Sequence, residues 1–211
     1  RRLWKRRLTS CSLTSLEEHI LGVRRVDDIP GFAIPQRYFD FLLTGDGSLL
    51  VNIVEHNVID IISMATLLYH IHTTTELEPE ECDCPYEAEA LANLALKADK
   101  RQLALQYLKV AAQLADDDEH YLTILRHSAQ IFKRLGEYHR AVPLWKKILE
   151  YQVDDLVTAE ELAKYYEHKT KDLAAAEQIT RRALAFAWQN RSPKIPALEH
   201  RLNRIMGKLA R

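Results

Sequence analysis

A long apolar run from Leu49 to His72 constrains the fold of this chain more than any other stretch. The run contains no glycine or proline and is longer than an ordinary strand, so it predicts a helix. Apolar side chains fall on almost every face of that helix, and a helix of this kind is normally buried. We therefore expect the helix to be buried.

Two polar residues inside this run, His56 and Asp60, need more explanation than packing supplies. They lie four residues apart, which places both side chains on one face of a helix. A buried carboxylate beside an imidazole needs a cation, a metal or a hydrogen-bond network as its partner. The simplest alternative is an ion pair or hydrogen bond that merely supports the helix.

Polar residues in the same run, such as Asn52 and Glu55, argue against a membrane span, and we predict no membrane contact. The chain has three cysteines, which cannot all pair, and this favours a reducing, cytoplasmic compartment. The net charge of −1 indicates no class of partner. The first residue is arginine rather than methionine, so we expect a piece of a longer protein.

Start and stop signals predict further helices before the apolar run. The sequence Ser15-Leu16-Glu17-Glu18 is typical of a capping box and predicts a short helix that ends near Gly22. Pro35 is placed to begin a second helix, which Gly45 would close. Ser48 can cap the long helix.

Basic residues dominate the start of the chain. Five of the first seven residues are cationic, namely Arg1, Arg2, Lys5, Arg6 and Arg7. Such a cluster can contact a nucleic-acid backbone, because cationic side chains release counterions there. The alternative is a charged segment that is simply solvated.

An acidic segment with two prolines, residues 73–85, predicts a linker between two bodies. Beyond it a repeat is present, in which Ala104, Ala141 and Ala176 lie 37 and 35 residues apart. A turn, a small residue and then an apolar stripe at this period predict stacked helical hairpins. Alanine suits these positions because paired helices approach closely there. Residues 195–209 predict a terminal helix that caps the array.

The repeat resembles the tetratricopeptide repeat (TPR). The residues of the middle copy that match the second half of that motif are Gly136, Tyr138, Ala141, Trp145 and Leu149. When the copies are aligned at Asp99, Gly136 and Lys171, the first has Asp99 where glycine is usual, and the third has an extra residue in Glu167-His168-Lys169-Thr170-Lys171. The resemblance implies an α-α superhelix over residues 86–211 that binds a protein or peptide.

Residues 1–72 resemble the C-terminal part of a bacterial ribonuclease-H-like exonuclease domain. The matching segments are LTSLE (13–17), GVRRVDDIPG (22–31), IPQRYF (34–39), TGD (44–46) and HNVIDI (56–61). The domain belongs with the DEDD-type 3′–5′ exonucleases, in the branch where a TPR region follows the nuclease. The resemblance implies a mainly α chain, formed by the helical end of an α/β domain and a TPR-like superhelix.

This resemblance also implies roles for the polar pair. In these nucleases four carboxylates hold two divalent metals, Mg²⁺ or Mn²⁺, and a nearby side chain activates the attacking water. Asp60 matches the last carboxylate and would ligate metal, while His56 matches the water-activating residue. Relatives with histidine usually have one more residue between the two. The early Asp-x-Glu pair has no match here, because Asp117-Asp118-Glu119 lies between repeat helices.

The resemblance therefore implies an incomplete two-metal site that would not cleave on its own. The parent protein would be a metal-dependent 3′–5′ exonuclease that acts on DNA or RNA in the bacterial cytoplasm. The alternative is a non-catalytic interaction module, in which His56 and Asp60 are structural and the hairpins bind the partner.

Overall fold

The computed structural model describes residues 2–26 and 28–210, and the described residues form helices and turns without any β-strand. The prediction of a mainly α chain is confirmed. The chain divides into two compact units, residues 1–110 and 111–211.

Ten α-helices account for most of the described chain. The first unit contains α1 (Leu13–Leu16), α2 (Ile34–Thr44), α3 (Ser48–Glu76) and α4 (Pro85–Lys97), and α5 (Arg101–Leu114) begins in it. The second unit contains α6 (Asp118–Leu135), α7 (Tyr138–Tyr151), α8 (Leu156–Tyr165), α9 (Leu173–Gln189) and α10 (Ile195–Leu209). Two π-helical turns extend α1 and α8, namely Glu17–Leu21 and Tyr166–Thr170. Two short 3-10 turns are Gly31–Ala33 and Pro79–Glu81.

The helix ends in the first unit follow local signals, with two corrections. Gly22 and Gly45 end their helices in the left-handed conformation, as predicted. The first helix begins before Ser15, because the Ser12 hydroxyl accepts a hydrogen bond from the Ser15 N–H. Ser48 is the first helical residue of α3 rather than its cap, because the Asp46 carboxylate accepts the Ser48 N–H at 3.0 Å.

The apolar helix α3 is not buried, so that prediction is wrong for this chain. Its side chains Val54, Ile61 and Leu68 are 58%, 63% and 67% exposed. Helices α1 and α2 and the π-helical turn after α1 pack against α3, and they cover only part of its circumference. An extended apolar face is therefore left uncovered within the described residues.

By length and composition α3 is also able to cross a membrane, and 6% of its most apolar stretch is buried. On another side of the helix, His56 and Asp60 are engaged in polar contacts with residues of the preceding segment. The predicted absence of membrane contact stays a prediction.

The acidic segment contains regular structure. Helix α3 continues into it as far as Glu76, and Pro79–Glu81 forms a 3-10 turn. The Tyr107 hydroxyl donates a hydrogen bond to the Leu77 carbonyl at 2.5 Å, which ties the segment to α5. The division into functional regions 1–72, 73–85 and 86–211 stays a prediction.

In the second unit each helix packs on its neighbour in the chain, from α6 through α10. The repeat alanines Ala141 and Ala176 of this unit are fully buried, as is Ala104 of the first unit, which is what close helix approach requires. Small residues also dominate one core cluster of this unit, formed by Ala159, Ala183, Ala187 and Leu198. The hairpin pattern is therefore present, and its likeness to TPR stays a prediction.

The three aligned turns share one backbone conformation. Asp99, Gly136 and Lys171 have φ angles of +56°, +75° and +57°. This left-handed conformation favours glycine, because a Cβ atom crowds the following carbonyl oxygen. The two departures from glycine therefore keep the turn geometry at a cost in stability.

We expect Lys171→Gly to raise the free energy of unfolding by about 0.5–1 kcal/mol, and Gly136→Ala to lower it by about 1 kcal/mol. A Cβ atom at Gly136 would meet no atom within 4 Å, so the second effect arises from backbone strain alone. Urea denaturation measures both. Lys171→Ala removes the same side chain but keeps the strain, and an equal gain from it would contradict this explanation.

Candidate functional site

A buried arginine, Arg25, is the centre of a polar cluster in the first unit. Its side chain is 6% exposed and lies among three carboxylates. Its Nη2 atom lies 2.5 Å from Glu17 Oε1 and 2.5 Å from Asp60 Oδ1, and its Nη1 atom lies 3.0 Å from Asp28 Oδ2. One guanidinium thus joins three separate parts of the chain.

Local structure places each member of this cluster. Glu17 begins the π-helical turn that follows α1, and that turn packs on α3. Gly22 then reverses the chain direction, so that Arg25 lies beside Glu17. The Arg25 side chain donates hydrogen bonds to the Glu17 carboxylate from Nε (2.6 Å) and Nη2 (2.5 Å). Glu17 is fully buried, so this bidentate pair supplies the charge compensation that burial demands.

His56 lies between two carboxylates. Its Nδ1 atom is 2.7 Å from Asp28 Oδ1, and its Nε2 atom is 3.5 Å from Asp60 Oδ2. An ionised carboxylate only accepts hydrogen bonds, so the short contact assigns the proton to Nδ1. Arg25 Nη1 lies farther from the same nitrogen, at 3.3 Å. In the neutral ring, Nε2 is therefore the basic nitrogen, and it faces Asp60.

The cluster changes the protonation equilibria of its members. The Arg25 hydrogen bonds lower the pKa of Glu17 against the opposing effect of burial. Burial alone would raise the pKa of Asp28, but hydrogen bonds from His56 and Arg25 outweigh it and the pKa is lowered. The pKa of Arg25 is raised, chiefly by its bond to Glu17. All three groups are accordingly charged at neutral pH.

The structure confirms that His56 and Asp60 share one face of α3, and it identifies the cation that the carboxylate needs. Sequence reasoning missed the roles of Glu17, Arg25 and Asp28. A signal was present, since the acidic positions 17 and 28 flank an arginine within one short segment that precedes α3. The catalytic role of His56 and the metal-binding role of Asp60 stay predictions.

The described residues do not by themselves fit a two-metal site. Among residues 2–26 and 28–210, no three His, Cys, Asp or Glu side chains converge as metal ligands. Asp60 Oδ1 accepts a hydrogen bond from Arg25, and that oxygen is one a cation would need. Asp60 would therefore need further ligands from elsewhere in the protein to hold a metal.

The basic start of the chain is folded against α4. Arg6 pairs with the buried Glu89, and Arg7 Nη1 lies 3.0 Å from Glu87 Oε1. Arg2 and Lys5 line a cleft of about 520 Å³, and the other polar residues of this cleft are Arg6, Tyr86, Asn93 and Lys97. Arg1 lies outside the described residues. This cationic cleft is therefore the candidate location for the predicted contact with nucleic acid.

Comparison with known proteins supports the coarser part of the resemblance. Residues 1–72 match the model of the RNase_H superfamily. The chain is 31% identical over 191 residues to the uncharacterized protein YprB of Bacillus subtilis (strain 168), covering 89% of this chain and 45% of that protein. The chain therefore spans less than half the length of this relative. No solved structure matches the chain.

Residues 1–72 are thus similar to the RNase_H superfamily. The finer assignments, to the DEDD type and to TPR-like repeats, stay predictions.

Proposed function

We propose that this chain is part of a metal-dependent 3′–5′ exonuclease of the bacterial cytoplasm, which acts on DNA or RNA. Residues 1–72 supply the last carboxylate, Asp60, and the base, His56. The observation that carries the proposal is the Asp28–His56–Asp60 arrangement within an RNase H-like segment. Mg²⁺ or Mn²⁺ is the expected metal, because hard cations prefer oxygen ligands.

The geometry around His56 suits a general base. Asp28 accepts a hydrogen bond from Nδ1, with a distance of 2.7 Å between the nitrogen and the carboxylate oxygen. This contact fixes the orientation of the ring and leaves Nε2 free to accept a proton. The negative charge of Asp28 also stabilises the imidazolium that forms when Nε2 takes a proton from water. Asp28 is thus a positioning residue, because it acts through His56.

The rest of the metal site would come from a part of the protein beyond residues 1–211. The relative's length supports this, because the chain spans 45% of it. The uncovered apolar face of α3 supports it too, since helices of an α/β domain bury such a face on a sheet. We therefore propose that the sheet of the nuclease domain covers Val54, Ile61 and Leu68.

The basic cleft supplies a place for the substrate backbone. Arg2, Lys5 and Lys97 line it, and cationic side chains bind phosphates at the cost of strong salt dependence. The cleft and the His56 cluster belong to the same unit. We propose that it holds the substrate strand away from the point of cleavage.

We expect Asp60→Asn in the full-length protein to abolish Mg²⁺- or Mn²⁺-dependent degradation of a labelled oligonucleotide, and His56→Ala to lower its rate by about 10²–10⁴-fold. The Asp60→Asn variant should still fold, because the oxygen of the asparagine side chain can accept the hydrogen bond from Arg25. Glu55→Gln, which changes an exposed carboxylate on the same helix, is the matched control.

Retained degradation by Asp60→Asn would overturn the assignment. It would favour the non-catalytic module, in which the polar cluster serves only to hold α1 against α3.

A further inference from the structure

The second unit carries a groove that the proposed nuclease chemistry does not use. One cavity of about 300 Å³ and another of about 320 Å³ share Lys133, Trp145 and Glu161, so they adjoin. Their walls come from α6, α7, α8, α10 and the π-helical turn after α8. We call this surface the aromatic–basic groove.

Aromatic rings form one part of the groove. Tyr138, Trp145 and Tyr165 line the first cavity. The rings of Tyr138 and Tyr165 are stacked, with centroids 5.5 Å apart and an interplanar angle of 27°. Both tyrosines are half-buried, so their packing fixes the rings in place while part of each remains accessible. A ring cluster held in this way is a surface on which a planar base can stack.

Cations form the other part. The cationic residues that line the groove are Arg126, Lys133, Lys164, Lys169, Arg201 and Arg204. The acidic residue among the described lining residues is Glu161. Behind the wall, the buried Glu167 is shared by three cations, Arg201, Arg204 and Lys208. Glu160 also pairs with Arg201, at 3.7 Å, and with Lys164 and Lys194. These two carboxylates are outnumbered by the five cations that they pair with, so positive charge remains in excess at this end of the groove.

Lys169 shows how the two parts combine. Its ammonium nitrogen lies 5.1 Å from the centre of the Tyr138 ring, a distance at which a cation is attracted by the ring face. Because Lys169 is exposed, its cation can leave the ring and contact a phosphate while a base stacks on the ring.

We propose that the aromatic–basic groove binds single-stranded nucleic acid, with bases on the tyrosine rings and phosphates on the lysines and arginines. A peptide would need donors and acceptors for its main chain. Among the groove residues that the structure describes, the acceptor side chains other than the tyrosine hydroxyls are Gln130, Thr158, Glu161 and His168, whereas rings and cations are more numerous. The site lies in the second unit and does not depend on the roles proposed for His56 and Asp60.

The test measures binding of a fluorescein-labelled oligothymidylate to the 211-residue chain by fluorescence anisotropy, with EDTA present so that cleavage cannot interfere. We expect Tyr165→Ala to weaken binding roughly tenfold, since one stacked base is lost. The salt dependence is the slope of the logarithm of the binding constant against the logarithm of the salt concentration. The double variant Lys133→Gln/Lys169→Gln should make this slope shallower by about 1.4, since each phosphate contact on a single strand contributes about 0.7.

Matched controls lie on α7. Lys146→Gln and Tyr151→Ala remove the same types of side chain from exposed positions outside the groove, and both should bind like the parent chain. A photo-crosslinking oligonucleotide, followed by mass spectrometry, should label the peptides that contain Tyr138 or Tyr165. This measurement separates the groove from the basic cleft of the first unit.

Unchanged binding and salt dependence in the groove variants would overturn the proposal, as would crosslinks confined to the first unit. The proposal would also be overturned if the groove substitutions weakened binding of a labelled acidic peptide but left oligonucleotide binding unchanged. Failure of the nuclease proposal has a different signature, because the oligonucleotide would then bind the groove without any degradation by the full-length protein.

Discussion

Replacing Arg25 with methionine is expected to lower the free energy of unfolding by about 3–5 kcal/mol, the usual cost of breaking a buried ion pair. Arg25 bonds Glu17 through two nitrogens and also contacts Asp28 and Asp60. Because Glu17 is fully buried, its carboxylate would lose its cation without gaining water. Urea denaturation followed by circular dichroism measures the loss.

Arg24→Met is the matched control for this substitution. Arg24 pairs with Glu18 at 2.5 Å, but its side chain is 82% exposed. Exposed pairs of this kind contribute little to stability, because water screens the attraction between the two charges. Equal losses from the two substitutions would show that Arg25 is no more than a surface cation.

The pH dependence provides an independent check on Arg25. The pKa of Glu17 is lowered by Arg25, so the stability that this pair contributes is present above the ordinary Glu value of 4.5 and is lost as pH falls. The difference between the parent chain and Arg25→Met should therefore shrink as acid protonates Glu17. A difference that stays constant down to strongly acidic pH would contradict the ion-pair explanation.

Features set by neighbouring residues were predictable from the sequence. Gly22 and Gly45 end helices because the left-handed conformation at a helix end favours glycine. The repeat alanines Ala104 and Ala141 are buried because their period repeats one structural unit. Each of these signals acts within a few residues or recurs at a fixed interval.

Features set by distant contacts were not predictable. The partner of Asp60 is Arg25, which is 35 residues away along the chain, and no local spacing rule connects them. The exposure of α3 was mispredicted for a related reason. Its apolar composition indicates that the helix packs against other elements, but it does not show whether these elements belong to this chain. The start of α3 was misplaced by one residue, since Gly47 is its cap and Ser48 is already helical, with its N–H donating to the Asp46 carboxylate.

A buried carboxylate, Glu167, holds the last helix of the second unit in the same way that Glu17 anchors Arg25. It lies in the π-helical turn after α8, and its oxygens accept hydrogen bonds from three residues of α10. The distances to Arg204 Nη2 and Lys208 Nζ are both 2.7 Å, and Arg201 Nη1 lies at 3.0 Å. Loss of this carboxylate would thus leave three cations facing one another.

We expect Glu167→Gln to lower the free energy of unfolding by about 3–5 kcal/mol. Burial alone would raise the pKa of Glu167, but Arg204 and Lys208 outweigh it and lower the pKa to about 2, against an ordinary value of 4.5. A lowered pKa contributes stability above pH 4.5 that is lost as pH falls toward 2. The parent chain should therefore lose stability across this range, and the variant should lack that part of the slope.

Hydrogen exchange of the α10 amides, measured beside urea denaturation, identifies which helix is released. Because Arg201 and Arg204 line the aromatic–basic groove, release of α10 should also weaken oligonucleotide binding. Glu177→Gln is the matched control, since its pair with Arg181 at 2.6 Å is a surface contact within one helix, worth about 0.3–0.5 kcal/mol. If the two variants lost equal stability, or if α10 kept its protection in Glu167→Gln, the three cations would hold the helix by packing of their stems rather than by charge.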